Sequence, residues 1–158
     1  VSQKITTCLW FDTQAEEAAD FYVSVFDGSK ILSVARYGDD GPGTAGQAMT
    51  VEFEIEGRKF LALNGGPAFT FSEAVSFVID CSSQEEVDRY WSALTADGEE
   101  SQCGWLKDKF GVSWQVVPSV LSQLLGGPDP EGAQRAMQAM LGMRKLEIAE
   151  LQAAYDGT

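Results

Sequence analysis

The stretch TTCLWFDTQAEEAADFY, residues 6–22, and the stretch AVSFVIDCSSQEEVDRY, residues 74–90, decide the fold between them. Each opens on β-branched and aromatic residues, which suit a half-buried strand, and then turns acidic and helical. In the first, residues 5–11 read as a strand. Asp12 or Thr13 caps the helix that follows, with Glu16 and Glu17 in the first turn, where negative charge suits the dipole. Ala15, Ala18, Ala19, Tyr22 and Phe26 recur at helical spacing. In the second, residues 74–79 read as the strand and Ser82-Ser83-Gln84-Glu85-Glu86 as a capped, acidic helix start. Val87, Tyr90, Trp91 and Leu94 form its apolar stripe. At one constant offset Asp12 falls on Asp80, Glu17 on Glu85, Asp20 on Asp88 and Tyr22 on Tyr90. The repeated order and these coincidences predict an internal duplication.

Working outward, residues 30–37 read as a strand and 38–46 (GDDGPGTAG) as a flexible loop. Residues 48–55 and 58–63 form a hairpin about Glu56-Gly57. After NGGPA (64–68) the order restarts, and Asp97-Gly98 ends the second helix. Residues 102–107 and 112–117 are strands across a turn at 108–111. Here the offset shortens, Gly57 falling on Gly111 and Phe60 on Trp114, because the second half lacks a loop like 38–46. The expected class is α+β, two βαβββ units at 1–65 and 66–117 with a helical appendix at 118–158. Its helices are expected at 118–125, 131–141 and 143–155, broken by GGPDP and Gly142. Met137, Met140 and Met143 read as core or dimer packing, since Met mostly fills gaps.

Composition excludes several functions. A chain of 158 residues makes one domain or two small fused halves and buries enough to fold without disulfides or metal. At 44% hydrophobic and 22% charged it is ordinary globular material. Lys plus Arg total 11 against 24 Asp plus Glu, and a net charge of −13 repels nucleic acid and anionic membranes alike. No apolar run approaches the ~18 residues of a membrane span and no secretory signal opens the sequence, so a soluble, cytoplasmic protein is expected. Cys8, Cys81 and Cys103 fit reduced thiols better than a disulfide framework. Cys8 and Cys81 read as core and helix-boundary residues. Cys103 reads as a buried structural thiol, because no histidine is there to activate it. The lack of histidine also excludes a Ser-His-Asp triad and a His-anchored zinc site, leaving acid–base chemistry to carboxylates, Lys, Tyr or Cys. The acidic pairs, such as Glu85-Glu86 and Glu99-Glu100, read as solvated helix starts and turns, and residues 38–41 are too short for a calcium loop.

The strings CLWFDTQAEEAADFY, FSEAVSFVIDCSSQEEVDRYW, CGWLKDKFGVSWQVVP and AMQAMLGMRKLEIAELQAA resemble the PhnB-like branch of the vicinal oxygen chelate superfamily, which includes glyoxalase I, bleomycin-resistance proteins and extradiol dioxygenases. That branch is often labelled 3-demethylubiquinone-9 3-methyltransferase. The resemblance implies the glyoxalase/bleomycin resistance fold, in which duplicated βαβββ units form a cup-shaped mixed sheet, and it implies dimers. The label itself finds no support in the residues. A dinucleotide or S-adenosylmethionine site needs a Gly-rich turn leading into a helix, whereas residues 38–46 and 64–67 connect strands, so no cofactor is expected.

The resemblance also places four metal-ligand positions, at Ile5, Leu61, Glu73 and Gln115. DKFGVSWQ stands where metal-dependent relatives have an Asp-x-x-Gly-x-x-x-Glu pattern. Ile5 and Leu61 cannot ligate, and one carboxylate with one amide is too little for a transition metal. A slip of one residue offers Thr6, Cys8 or Ser72 and restores no quartet. A metal-free cup is therefore expected, its aromatic lining drawn from Trp10 or Phe11, Phe60, Trp105 and Trp114. Strand alternation sets Ser113 and Gln115 on one face and Trp114 on the other, and the carried-over Gln115 assigns the former to the cup. The candidate ligand-binding residues are Thr7, Glu73, Trp105, Ser113 and Gln115, with no metal ligand among them. Three functions follow: a metal-free protein binding a small organic molecule; an enzyme with Glu73 as base and Gln115 orienting a carbonyl; or a dimeric interaction module. A homodimer is expected from an apolar stripe of Met140, Met143, Leu146, Ile148 and Leu151, with Ala136 and Ala139 permitting close helix approach.

Overall fold

Period-two strands and one short amphipathic helix build the same motif twice. The computed structural model describes residues 3–158. It has two compact units, the first ending at Phe71 and the second beginning at Ser72. The first contains β1 (Thr7–Phe11), α1 (Ala15–Val25), β2 (Lys30–Arg36), β3 (Ala48–Ile55) and β4 (Arg58–Asn64). Its sheet runs β1-β4-β3-β2, with β1 parallel to β4 and the other pairs antiparallel. Leu9, Phe11, Val51, Phe53, Phe60 and Ala62 are buried on the face that α1 covers with Ala15, Ala18, Ala19 and Tyr22. Tyr22 stacks on Phe53 and Phe53 on Phe60, at centroid distances of 6.1 and 5.2 Å.

The second unit repeats the topology with β5 (Ser76–Cys81), α2 (Gln84–Thr95), β6 (Glu99–Glu100), β7 (Trp105–Lys107) and β8 (Ser113–Pro118), in the order β5-β8-β7-β6. Val87, Tyr90, Trp91 and Leu94 of α2 are buried against the face holding Leu106, Trp114 and Val116. β6 is two glutamates long, too polar and short to announce itself in sequence. The strand expected at 102–107 forms only from Trp105, and β1 begins at Thr7, leaving Ile5 88% exposed before it. α3 (Val120–Leu125), α4 (Pro130–Leu141) and α5 (Ile148–Asp156) complete this unit.

The two first helices are capped differently. Neither Asp12 nor Thr13 caps α1; its N-cap is Gln14, whose side chain makes no capping bond. Asn64, at the end of β4, accepts from the Ala15 N–H at 2.8 Å and donates to the Ala48 carbonyl at 2.8 Å. α2 is capped locally: Ser83 Oγ accepts from the Glu86 N–H at 3.2 Å, and Glu86 Oε1 accepts from the Ser82 N–H at 2.9 Å.

The last helix starts later than the expected 143. The carbonyls of Met143 and Arg144 instead accept from the N–H groups of Cys103 and Gly104, at 2.8 Å each. Gln84 then fixes the start of α5, donating to the Leu146 carbonyl at 3.1 Å and accepting from the Ile148 N–H at 2.7 Å. Leu146, Leu151 and Ala136 are fully buried with Leu121 and Leu124, and Ala139, Met140 and Met143 pack onto that cluster. Most of the stripe that suggested a dimer is thus covered by its own chain. Met137 and Leu141 of α4 are the exposed large apolar side chains of the appendix. Among the described residues no helix is long and apolar enough to cross a membrane.

Candidate functional site

In the second sheet Lys107 pairs with Ser113, Trp105 with Gln115 and Ser76 with Ser113. Directly paired residues share a face. Ser76, Trp105, Lys107, Ser113 and Gln115 therefore lie on the face turned away from α2, opposite Leu106, Trp114 and Val116. Gln115 Nε2 donates to Ser76 Oγ at 3.0 Å. Glu73, just before β5, forms a salt bridge with Lys107. Glu73, Glu99, Trp105, Lys107 and Ser113 border a cavity of about 160 Å³ on this face.

Two polar groups at this cavity stand out. Ser113 is 1% exposed, and its Oγ has no hydrogen-bond partner among the described residues. The indoles of Trp10, Trp91 and Trp114 donate to the Gly66 carbonyl, Glu100 and Asp108 respectively. Trp105 alone of the four tryptophans makes no indole hydrogen bond or ring pair among the described residues.

The charges are coupled. The Lys107 ammonium, by hydrogen bond first and by charge as well, holds the Glu73 carboxyl below its ordinary range, and a backbone hydrogen bond adds to this. Glu73 in turn raises Lys107. A carboxylate stabilised in its charged form is a weakened proton acceptor, which counts against Glu73 as a general base.

The turn before β8 sets the geometry. Asp108 is 2% exposed; its Oδ1 accepts from the N–H groups of Phe110 at 2.9 Å and Val112 at 3.1 Å, and its Oδ2 from the Trp114 indole at 2.9 Å. Gly111 adopts φ +88°, which Gly tolerates without strain. Asp108 thereby holds Lys107 and Ser113 opposite each other. Read as a vestigial metal pattern, DKFGVSWQ hid this role. The signal for it was an Asp opening a turn that ends in Gly.

Of the candidate residues, Glu73, Trp105, Ser113 and Gln115 meet on or beside one face. Thr7 does not belong with them. It pairs with Phe60 and shares the side of Leu9 and Phe11, which faces α1. Phe11, Phe60 and Trp114 are likewise in the helix-facing cores, whereas Trp10 lies on the opposite face of the first sheet with Cys8 and Leu61. Cys8 is exposed rather than in the core. Cys81 is buried at a helix boundary, and burial, with Glu86 and Asp80 adding to it, pushes its thiol up to about 12. Cys103 is half-buried at φ +59°.

The four chelate positions do not fit a metal. Ile5 and Leu61 offer no donor, Glu73 is bound to Lys107, and the Gln115 amide to Ser76. Among the described residues no group of three Cys, Asp or Glu could hold an ion.

The first unit has a wider cleft of about 570 Å³, bordered by Thr13, Tyr37, Thr44, Gln47 and Asn64. Its best-placed polar groups are already engaged: Tyr37 Oη donates to the Asn64 carbonyl at 2.9 Å, and the Asn64 amide caps α1.

Two βαβββ units with matching strand order, each backed by its helix, define a protein of the glyoxalase/bleomycin resistance fold. The family model for 3-demethylubiquinone-9 3-methyltransferase matches residues 3–117, and the chain belongs to this PhnB-like family. A PhnB protein from Bacillus cereus that carries the same methyltransferase designation is 39% identical, with a TM-score of 0.69 over 73% of this chain and 99% of its own. A protein from Pseudomonas aeruginosa is 23% identical at a TM-score of 0.61, over 74% of this chain and 98% of its own. The fosfomycin resistance protein FosX from Listeria monocytogenes, in complex with Mn(II) and sulfate, is 13% identical at a TM-score of 0.52, over 80% and 97%. The last two show the shared fold alone. No curated protein matches. Methyltransferase is here the name of a family.

Proposed function

We propose that the protein binds a small organic molecule on the open face of its second sheet, without a metal. The observation that carries this reading is the buried, unpartnered hydroxyl of Ser113 beside the unpaired indole of Trp105. Leaving a buried polar group without a partner costs about 1–3 kcal/mol, and a ligand that hydrogen-bonds to it recovers that cost. Aromatic surface with a few convergent polar groups is the usual make-up of a small-molecule site. The carboxylate at Glu73, held ionised by Lys107, supports recognition over proton abstraction.

A thermal-shift screen of a metabolite library, run in EDTA, tests this. A ligand present at about 100 times its Kd adds about 2.7 kcal/mol of stability. Ser113→Ala should weaken that ligand about tenfold while leaving the free protein at least as stable, because the lost hydroxyl had no partner. Ligands that appear only when a divalent metal is restored, or that bind Ser113→Ala and Trp105→Leu as tightly as the parent chain, would overturn the proposal.

A further inference from the structure

We infer that the ligand of this site is a small organic cation, an ammonium carried on a short apolar or aromatic frame. The inference rests on the binding reading above and adds the class of ligand. Its first ground is the balance of charge around the cavity. Lys107 is the cation among the lining residues, and it is already committed to Glu73. Glu100 turns to the Trp91 indole at 2.7 Å and to Arg144 at 3.7 Å. Glu99 remains: it lines the cavity and enters no salt bridge among the described residues. An anionic ligand would have to displace Glu73 from Lys107 and then lie beside Glu99. Glu99 pairs with Lys107 across the β6–β7 ladder, and its charge helps to raise that ammonium, so a cation meets a second carboxylate there without breaking a salt bridge. The chain's net charge of −13 acts in the same direction, drawing cations towards the protein.

The second ground is independent of the carboxylates. Trp105 borders the cavity, and its ring has no aromatic or cationic partner among the described residues. An indole face attracts a cation within about 6 Å of its centroid, more strongly than other aromatic rings do. Ser113 adds a polar contact. Its hydroxyl, without a partner among the described residues, can accept a hydrogen bond from an ammonium and can equally donate one, so it holds the ligand while the charge preference rests on the carboxylates and the indole. A volume of about 160 Å³ resembles that of cavities known to take up benzene, so the frame is small.

Three nearly isosteric probes test the class: 2-phenylethylammonium, 2-phenylethanol and 3-phenylpropionate. Each is titrated to millimolar concentration into the full ¹⁵N-labelled chain, following the Trp105 indole and Ser113 amide resonances. The ammonium should bind about tenfold more tightly than the alcohol, and the carboxylate least of the three. Glu99→Gln, an exposed change, should remove most of that preference, and Trp105→Leu should weaken the ammonium more than the alcohol. A carboxylate that binds as well as the ammonium, or a preference untouched by Glu99→Gln, would refute the cation while leaving the binding reading in place. Should none of the probes move either resonance, the cation is refuted as well, and the metabolite screen above decides the binding reading by itself.

Discussion

The two units share an element order and differ in what they do with the sheet face turned away from the helix. In the first, that face is internally paired. Ser33 donates to Glu52 at 3.1 Å, Lys30 faces Glu54 at 3.9 Å, and Trp10 donates to the Gly66 carbonyl while its ring meets Phe69 edge-on. In the second, Glu73 and Lys107 satisfy each other and Gln115 bonds Ser76, yet the side chains of Ser113 and Trp105 beside them have no hydrogen-bond or ring partner among the described residues. One topology thus carries a face completed by its own side chains and a face that is incomplete. The candidate site follows from the incompleteness, since the fold is common to both. The turns differ in the same spirit. The first hairpin closes on Glu56 at φ +50° and Gly57 at φ +83°, with one exposed hydrogen bond from the Gln3 amide to the Gly57 carbonyl at 3.4 Å, whereas the second depends on a buried carboxylate.

That contrast gives the largest expected effect. Asp108→Ala should destabilise the protein by about 3 kcal/mol, because it removes the charged acceptor of three donors in a buried turn. Glu56→Ala, in the corresponding hairpin, should stay within about 0.5 kcal/mol, as surface substitutions do. Urea denaturation of both variants measures the difference, and equal losses would show that the turns are not built differently after all. The caps come next. Asn64→Ala should cost about 2 kcal/mol, since it strips α1 of its cap and β3 of a carbonyl partner together. Ser83→Ala, removing the local cap of α2, should cost about 1 kcal/mol. The reverse ranking would mean that the distant cap contributes less than the adjacent one.

The smallest effect lies in pH. The carboxyls of Glu16, beside Arg36, and of Glu73, beside Lys107, are both lowered in the folded state, chiefly by those hydrogen bonds. Each therefore contributes stability that is full above the unfolded Glu value of about 4.3 and is lost as pH falls through the lower folded value. Lys107 is raised, so its contribution is full below about 10.4 and is lost as pH rises through its folded value. Melting temperatures recorded from acid to alkaline pH should show a shallower acid limb for both Glu16→Gln and Glu73→Gln. Glu73→Gln should also flatten the alkaline limb. An unchanged alkaline limb in Glu73→Gln would show that the Lys107 contact is not populated in solution.

Much of this molecule follows from neighbours close in sequence. Alternation along β8 alone puts Ser113 and Gln115 opposite Trp114, and the pairing with β5 and β7 bears that out. The apolar stripe of α2, the Ser83 start and the Glu56-Gly57 turn were legible for the same reason: helical period, capping and turn chemistry are settled within a few residues. Alternation could not say which side a helix would cover. Thr7 thus shares the α1 side of its sheet, Cys8 is exposed, and Phe60 lies in a core. Tertiary structure alone decided that Asn64, distant in sequence but beside Phe11 on the neighbouring strand, caps α1, that Gln84 starts α5, and that Leu146 is buried within its own unit. It alone also revealed Ser113 and Trp105 without partners. Whether a buried polar group is satisfied depends on every atom that reaches it, most of them contributed by distant parts of the chain, so the site itself is a property of the folded molecule.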